Sequence, residues 1–311
     1  NKKTKWLFFG EKDVYKKFLK SFELQMHELT FSEESKIYTE VEIKRDFDGL
    51  IIGDFEKLSS GMFDLILKLK TEGELVLSLI SWSEIFFDRI PPSLFDKEDL
   101  FRDQISIPSY SKQIQIRMKR VFDIFFSILL IILSSPILII VSFLIVLEDF
   151  GPILYSQERN GLGGRSFKIW KLRTMHVTAE KEGVQWVKRN DKRITKIGKF
   201  LRSSRIDELP QLFNILKGDM SLIGPRPERE FFDVKFKEVM PHYITRYFIK
   251  PGLSGWAQVN YPYGASMEDT EIKLSYDIYY LRNFSLLLDT LIIFKTIKTV
   301  TNFKNAVPKN R

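Results

Sequence analysis

The sequence contains no cysteine and only three histidines in 311 residues. Without thiols, the chain has no disulfides, no thiolate metal sites and no cysteine nucleophile. Acidic residues are outnumbered, since 48 lysines and arginines face 40 aspartates and glutamates and leave a net charge of +8. That surplus predicts an anionic partner: a phosphate-bearing substrate, a lipid surface or a nucleic acid. No nucleic-acid-binding motif accompanies the basic residues, so we expect no nucleic acid partner.

Charge is missing altogether from the 24 residues 124–147. A straight helix of that length measures about 36 Å, and a bilayer hydrocarbon core about 30 Å, which predicts one transmembrane helix. Ser135 and Pro136 interrupt the middle of this run, and proline removes a helical N–H and clashes with the preceding turn. Two halves of about 18 Å are too short to cross. A re-entrant helix–break–helix and a buried helix pair in a soluble domain therefore remain alternatives to the spanning helix.

The first third of the chain alternates short apolar segments with helical periodicity, which is typical of βαβ units and a parallel sheet. We predict strands at 6–10, 49–53 and 74–80, and helices at 13–22 and 62–69. The first turn after a strand begins at Gly10 but lacks the other two glycines of a dinucleotide site, and Glu11 and Asp13 would repel a pyrophosphate. Residues 1–105 thus resemble a degenerate Rossmann-like α/β accessory domain, followed by a polar linker at 106–120.

A strongly basic segment precedes two adjacent carboxylates. Residues 188–205 contain eight basic residues and one acid, with apolar residues at helical spacing, which predicts an amphipathic helix with a cationic face. That face suits either a phosphate or a membrane surface. Asp207 and Glu208 follow, and neighbouring residues of a helix point about 100° apart. One carboxylate can then act on a substrate while the other binds a metal. The nearby Arg202 and Arg205 should keep the reacting carboxylate ionised.

Three further segments combine glycine and proline with polar residues at a density typical of a shaped binding site. They are KIWKLRTM at 168–175, GDMSLIGPRP at 218–227 and KPGLSGWAQVN at 250–260. Proline on both sides of Arg226 stiffens the backbone and fixes a guanidinium that suits bidentate phosphate contact.

Together with Ser135-Pro136 and Asp207-Glu208, these segments resemble the bacterial sugar transferases, the monotopic polyprenyl-phosphate phosphoglycosyl transferases, over about residues 118–302. The resemblance favours the re-entrant alternative. It implies a re-entrant membrane helix at 121–148 and a mainly α catalytic domain with surface amphipathic helices at 149–311. It also implies contact with membrane lipid at the cytoplasmic face of the bacterial inner membrane. The accessory domain matches the exopolysaccharide branch of the family and suggests a homodimer.

The resemblance further implies a reaction and its residues. A sugar-1-phosphate would pass from a UDP-sugar to a polyprenyl phosphate, with release of UMP. Asp207 would be the nucleophile that carries the phosphosugar, and Glu208 would hold Mg²⁺. Arg202 and Arg226 match the family's phosphate-binding arginines. The basic stretch after the membrane helix supplies two further candidates, Lys171 and Arg173.

One departure from the family pattern follows Asn260, where many members continue with Gly-Arg-Asn and this chain continues with Tyr261 and Pro262. Arg246 or Lys250 would then have to replace the missing arginine, or the nucleotide is held differently. Two other functions remain as alternatives. One is a catalytically inactive, transferase-like scaffold in a polysaccharide assembly, and the other is a basic membrane-surface protein without chemistry.

Overall fold

The computed structural model describes residues 3–22, 27–32, 38–55, 58–95, 110–179, 191–261 and 266–301. The chain divides into two compact units, residues 1–96 and 97–311. The predicted accessory domain extended to residue 105.

The N-terminal unit is a four-stranded parallel sheet with helices between its strands. The strands are β1 (Thr4–Phe9), β2 (His27–Phe31), β3 (Gly49–Ile52) and β4 (Val76–Ser78), in the spatial order β2-β1-β3-β4. The helices are α1 (Lys12–Ser21), α2 (Glu40–Asp46), α3 (Ser60–Thr71) and α4 (Leu79–Phe87). Successive residues of a strand point to opposite faces. Leu7 therefore packs into one apolar core and Phe8 into the other.

The sequence predicted this α/β class and both central strands. It missed β2 and α2, and it extended the last strand to residue 80, where the structure begins α4 at Leu79. A serine explains the early helix: the Ser78 side chain accepts a hydrogen bond from the Ser81 N–H and caps the N-terminus of α4.

The C-terminal unit is mostly helical. Its first half contains α5 (Tyr110–Glu148), the antiparallel hairpin β5 (Leu154–Asn160) and β6 (Ser166–Leu172), α6 (Lys196–Ser204), a 3-10 turn (Ile206–Glu208) and α7 (Gln211–Lys217). Its second half contains β7 (Ser221–Ile223), α8 (Glu230–Val239), a 3-10 helix (Pro241–Phe248), β8 (Gly252–Ser254), α9 (Trp256–Asn260), α10 (Met267–Arg282) and α11 (Leu286–Thr301). β7 and β8 pair in parallel. The basic helix predicted at 188–205 begins only at Lys196, and residues 180–190 lie outside the described residues.

The long apolar helix α5 includes Pro136, so Ser135 and Pro136 do not end the helix, and the predicted change of direction at this point stays a prediction. Pro136 cannot donate to the carbonyl of Ile132, but the Ser135 hydroxyl donates to that same carbonyl at 2.8 Å. The Ser134 hydroxyl donates to the carbonyl of Ile131 at 3.4 Å. The helix therefore keeps its carbonyls paired at the proline. Within the predicted linker at 106–120, residues 110–120 form the first turns of α5.

Both ends of α5 bind to the same folded unit. Near its start, Arg120 donates to the carbonyl of Leu216 at 2.7 Å, and Asp123 accepts from the Leu222 N–H at 2.9 Å. At its end, Glu148 accepts from the N–H of Lys196 at 2.6 Å. Contacts near both ends of α5 thus hold it to the rest of the C-terminal unit.

One stripe of α5 is buried and the rest of its apolar surface is exposed. The buried stripe consists of Lys119, Asp123, Ser127, Val141 and Ile145. Large apolar side chains that are at least about two-fifths exposed occupy the other sides, at positions 121, 122, 124–126, 128–130, 132, 133, 137, 139, 140, 143, 144 and 147. Among the described residues, α5 is the one helix long and apolar enough to cross a membrane. An exposed apolar surface of this extent is typical of membrane association.

Candidate active site

Two adjacent carboxylates lie in the short 3-10 turn between α6 and α7. Helix α6 ends where Arg205 adopts a left-handed conformation (φ 60°), and this reverses the chain into the turn. Asp207 and Glu208 are both buried, at 7% exposure. Residues of a 3-10 turn are about 120° apart, so the two side chains face different neighbours. The sequence predicted the different directions but assigned the residues to a longer helix.

Glu208 is surrounded by cations. Arg226 forms a bidentate ion pair with it, with Nη1 donating to Oε2 at 3.2 Å and Nη2 to Oε1. Lys171 Nζ donates to Oε1 at 3.2 Å, and Arg205 Nη1 lies 3.7 Å from the same oxygen. Burial alone would raise the pKa of Glu208, but Arg226 and Lys171 outweigh it and hold that pKa well below its ordinary value.

Asp207, unlike Glu208, has a carboxylate oxygen that is not bound by a cation. Its Oδ1 is buried without a hydrogen-bond partner among the described residues. Burial and the negative charge of Glu208 raise the pKa of Asp207 to about 6, against the opposing charges of Lys171, Arg202 and Arg205. The arginines therefore do not hold the pKa of Asp207 at or below its ordinary value, as the sequence suggested. With a pKa of about 6, the carboxylate is still mostly ionised at pH 7. A buried, ionised and unpaired carboxylate oxygen is an available nucleophile.

Arg202 reaches this site because α6 packs closely on the segment after β6. Gly198 faces the carbonyl of Thr174, and a Cβ at that position would overlap it. The close approach brings Arg202 Nε within 2.8 Å of the Thr174 hydroxyl, to which it donates. Arg202 is also one of the cations that lower the pKa of Asp207.

Lys171 reaches the carboxylates from the inward face of the β5–β6 hairpin. It pairs across the hairpin with Tyr155, and burial lowers its pKa despite the neighbouring Glu208. Three of the predicted binding residues, Lys171, Arg202 and Arg226, thus meet at the two predicted catalytic carboxylates.

Arg173 does not join them. Its Nη2 donates to the backbone carbonyls of Asp149 and Ile145, the latter at 3.4 Å, at the C-terminal end of α5. Gly151 lies so close that a Cβ there would overlap Nη1. Basic side chains commonly bind the last carbonyls of a helix in this way. The structure therefore gives Arg173 a helix-capping contact in place of the predicted phosphate contact.

Sequence reasoning missed Arg159, which lies on the same inward face of the hairpin as Lys171. Its Nε is buried without a partner among the described residues, and its Nη1 lies 3.9 Å from Glu228 Oε2. Burial lowers the pKa of Arg159 to about 10, with Arg226 also lowering it. The alternation of β5 residues would have indicated this inward position.

The structure separates the two candidates for the missing arginine. Arg246 donates from Nη2 to the backbone carbonyl of Arg226 at 2.7 Å, so it contacts the site. Lys250 instead lies near Arg120, which together with burial lowers its pKa.

The carboxylate oxygens of Asp207 and Glu208 can be compared with what a Mg²⁺ site requires. No group of three or more histidine, aspartate or glutamate side chains suited to a metal occurs in the part of the chain that the structure describes. Mg²⁺ in phosphate-transfer sites is commonly held by one or two carboxylates together with substrate phosphates. That donor set would consist of Asp207, whose Oδ1 is unpaired, and Glu208, whose two oxygens already bind Arg226 and Lys171, with a diphosphate supplying the other oxygens.

Comparison with known proteins identifies the family to which the chain belongs. A profile of the bacterial sugar transferases matches residues 114–303. A UDP-N-acetylgalactosamine-undecaprenyl-phosphate N-acetylgalactosaminephosphotransferase of Aeromonas hydrophila is 49% identical over 59% of this chain and 43% of its own length. A UDP-glucose:undecaprenyl-phosphate glucose-1-phosphate transferase of Klebsiella pneumoniae is 40% identical over 59% of this chain and 40% of its own length.

A shorter relative from Bacillus subtilis, named as a putative undecaprenyl-phosphate N-acetylgalactosaminyl 1-phosphate transferase, is 51% identical over 42% of this chain and 73% of its own length. The chain thus spans less than half the length of the Aeromonas and Klebsiella relatives. The region that the profile matches contains α5 from residue 114 onward, both carboxylates and the cations around them. The chain belongs to the bacterial sugar transferase family.

Proposed function

We propose that this chain transfers a sugar-1-phosphate from a UDP-sugar to undecaprenyl phosphate and releases UMP. The observation that carries the proposal is the buried, unpaired Oδ1 of Asp207 among the cations Lys171, Arg202 and Arg205. The names of the Aeromonas and Klebsiella relatives describe transfer of this kind.

The reaction proceeds in two displacements. An oxygen of Asp207 attacks the sugar-linked phosphorus, the bond from that phosphorus to the bridging oxygen breaks, and UMP leaves with the electron pair. This leaves an aspartyl-phosphosugar. An oxygen of undecaprenyl phosphate then attacks the same phosphorus, and the Asp207 carboxylate leaves. The products are undecaprenyl-diphosphate-sugar and the regenerated enzyme, so the kinetics are ping-pong.

The surrounding residues provide binding and charge stabilisation. Arg202 and Arg205 approach Asp207 from α6, and Lys171 approaches it from the hairpin, so the diphosphate meets positive charge on two sides. Arg226 is 30% exposed and still bound to Glu208, which leaves part of its guanidinium open to a phosphate. Glu208, with Asp207 nearby, would hold Mg²⁺, and the ion would supply positive charge to the diphosphate.

We place α5 in the inner leaflet at the cytoplasmic face, entering and leaving on one side of the membrane. The support is that both ends of α5 bind the same folded unit while its remaining surface is apolar and exposed. A second stripe of exposed apolar residues on α11, formed by Leu287, Leu291, Phe294 and Ile297, suits the same surface.

A donor screen tests the proposal. Purified protein is mixed with undecaprenyl phosphate, Mg²⁺ and each of several UDP-sugars, and UMP release is measured. UDP-N-acetylgalactosamine and UDP-glucose come first because the relatives' names include both sugars. Asp207→Asn should abolish UMP release, and Glu230→Gln, which removes an exposed carboxylate of the same unit, should not.

Each failure has a distinct meaning. UMP release retained by Asp207→Asn would remove Asp207 as the nucleophile. No transfer by the wild-type chain with any donor would favour the inactive scaffold. Unchanged turnover after removal of divalent cations would contradict the Mg²⁺ assignment.

A further inference from the structure

The backbone of Arg226 is held independently of its side chain. The side chain pairs with Glu208, while the backbone carbonyl accepts a hydrogen bond from Arg246 Nη2 at 2.7 Å. The same Arg246 donates from Nε to Asp277 Oδ2 at 2.8 Å. The Arg246 and Asp277 side chains are only 9% and 2% exposed, so this ion pair is almost fully desolvated.

The third guanidinium nitrogen of Arg246, Nη1, is hydrogen-bonded as well. Its Nη1 donates to the Tyr243 hydroxyl at 2.6 Å, and that hydroxyl donates to Asp233 Oδ1 at 2.6 Å. Asp233 in turn accepts from Asn160 Nδ2 at 2.6 Å. Because Nε, Nη1 and Nη2 are all hydrogen-bonded, the planar guanidinium of Arg246 has one orientation. In that orientation Nη2 donates to the backbone carbonyl of Arg226.

Such an arrangement is a poor way to gain stability alone. Desolvating an arginine and an aspartate costs several kcal/mol, on the order of what their attraction returns, and apolar replacements are often as stable. What a fully bound ion pair does supply is a fixed geometry. Here the ion pair holds the backbone of the Pro-Arg-Pro segment, and the guanidinium of Arg226 in that segment pairs with Glu208.

We propose that Arg246 and Asp277 are positioning residues that set Arg226 in place for the diphosphate of the donor. The proposal rests on the proposed function, because that function gives Arg226 its phosphate. It assigns Arg246 a role different from that of the arginine missing after Asn260: Arg246 acts through Arg226 and does not itself contact the nucleotide.

Two variants test the role. Arg246→Lys keeps a positive charge beside Asp277 but cannot reach three partners, and Asp277→Asn keeps the size but removes the charge. For both, we expect kcat/KM for the UDP-sugar to fall by about 10²-fold, the loss that a displacement of about 1 Å produces. Binding of inorganic pyrophosphate, measured by calorimetry, should weaken by about tenfold. Arg226→Ala gives the reference for losing the phosphate contact entirely.

Asp289→Asn is the matched control. It breaks the Lys119–Asp289 ion pair, which has a 2.6 Å separation and side-chain exposures of 7% and 9%, but which does not contact Arg226. It should lower the melting temperature as much as Asp277→Asn does while leaving pyrophosphate affinity unchanged. Arg246→Lys covers the case in which Asp277→Asn does not fold.

The outcomes separate the two claims. If wild-type protein transfers sugar phosphate and Arg226→Ala weakens pyrophosphate binding, wild-type affinity in Arg246→Lys and Asp277→Asn overturns the positioning role alone. If wild-type protein transfers nothing but these variants still weaken pyrophosphate binding, the positioning role stands and the proposed function fails. If Arg226→Ala leaves pyrophosphate binding unchanged, the positioning role falls, while UMP release by wild-type protein still decides the proposed function.

Discussion

Two buried clusters of cations and carboxylates in the C-terminal unit differ in how completely their charges are paired. At the first, Lys119 donates to Asp289 Oδ2 at 2.6 Å and Tyr280 donates to Oδ1 at 2.7 Å, so both oxygens are bound. At the second, Glu208 is bound by several cations while Asp207 Oδ1 has no partner among the described residues. The paired cluster holds α5 to the fold. The unpaired one has a carboxylate oxygen without a partner and several cations beside it, which suit the proposed reaction with a diphosphate.

The paired cluster should respond mainly in stability. Asp289→Asn leaves the Lys119 charge buried without a counterion, so the free energy of unfolding should fall by about 3–5 kcal/mol. Thermal or chemical unfolding of the purified protein measures this loss. Transfer per folded molecule should change far less than in Asp207→Asn. A collapse of transfer without loss of stability would show that the paired cluster takes part in catalysis, and would break the comparison.

The unpaired cluster should respond mainly in catalysis. Arg226→Lys keeps one positive charge beside Glu208 but loses the bidentate geometry. We expect kcat/KM for the donor to fall by about 10²-fold with little change in melting temperature. Steady-state kinetics with a varied UDP-sugar provides the measurement. Lys192→Ala, which removes an exposed cation of the same unit, is the control and should have near-wild-type kinetics.

The two clusters should also differ in their effect on the pH profile. The pKa of Asp207 is raised to about 6, and in the proposed reaction the ionised form is the nucleophile. The first displacement should therefore be fast above pH 6 and fall about tenfold per pH unit below it. Single-turnover UMP release without undecaprenyl phosphate isolates this step from titration of the lipid phosphate. Asp289→Asn should leave the position of the acidic limb unchanged, and a shift would couple the clusters.

The sequence predicts the features that local patterns determine. The buried runs of β1 and β3 and the helices α1 and α3 were identified from periodicity and composition. β2 was missed because it is an edge strand whose residues are mostly half-exposed and mixed in polarity.

Long-range contacts explain the errors in the site. Lys171 and Arg173 are two residues apart and look equivalent in sequence, yet β6 ends at Leu172 and the chain then turns Arg173 toward the end of α5. The Arg246–Asp277 pair joins residues 31 positions apart, which no local pattern reveals. The rise in the pKa of Asp207 depends on burial, whereas its neighbours in the sequence indicated only nearby arginines.

The smallest expected effect concerns the backbone carbonyl of Ile132. Like the paired cluster, this carbonyl has a hydrogen-bond partner that contributes to stability. Pro136 removes its backbone donor and the Ser135 hydroxyl replaces that donor at 2.8 Å. Ser135→Ala should therefore lower the free energy of unfolding by about 1 kcal/mol, because a carbonyl loses its partner. Thermal unfolding in detergent measures the change, and UMP release should be unaffected.

A double-mutant cycle isolates this hydrogen bond. Pro136→Ala restores a backbone N–H for the carbonyl of Ile132, so the same Ser135→Ala change made in the Pro136→Ala background should have almost no effect. Equal losses in both backgrounds would mean that Ser135 stabilises α5 through some other contact. In that case the explanation given for the continuity of the helix at Pro136 would be wrong.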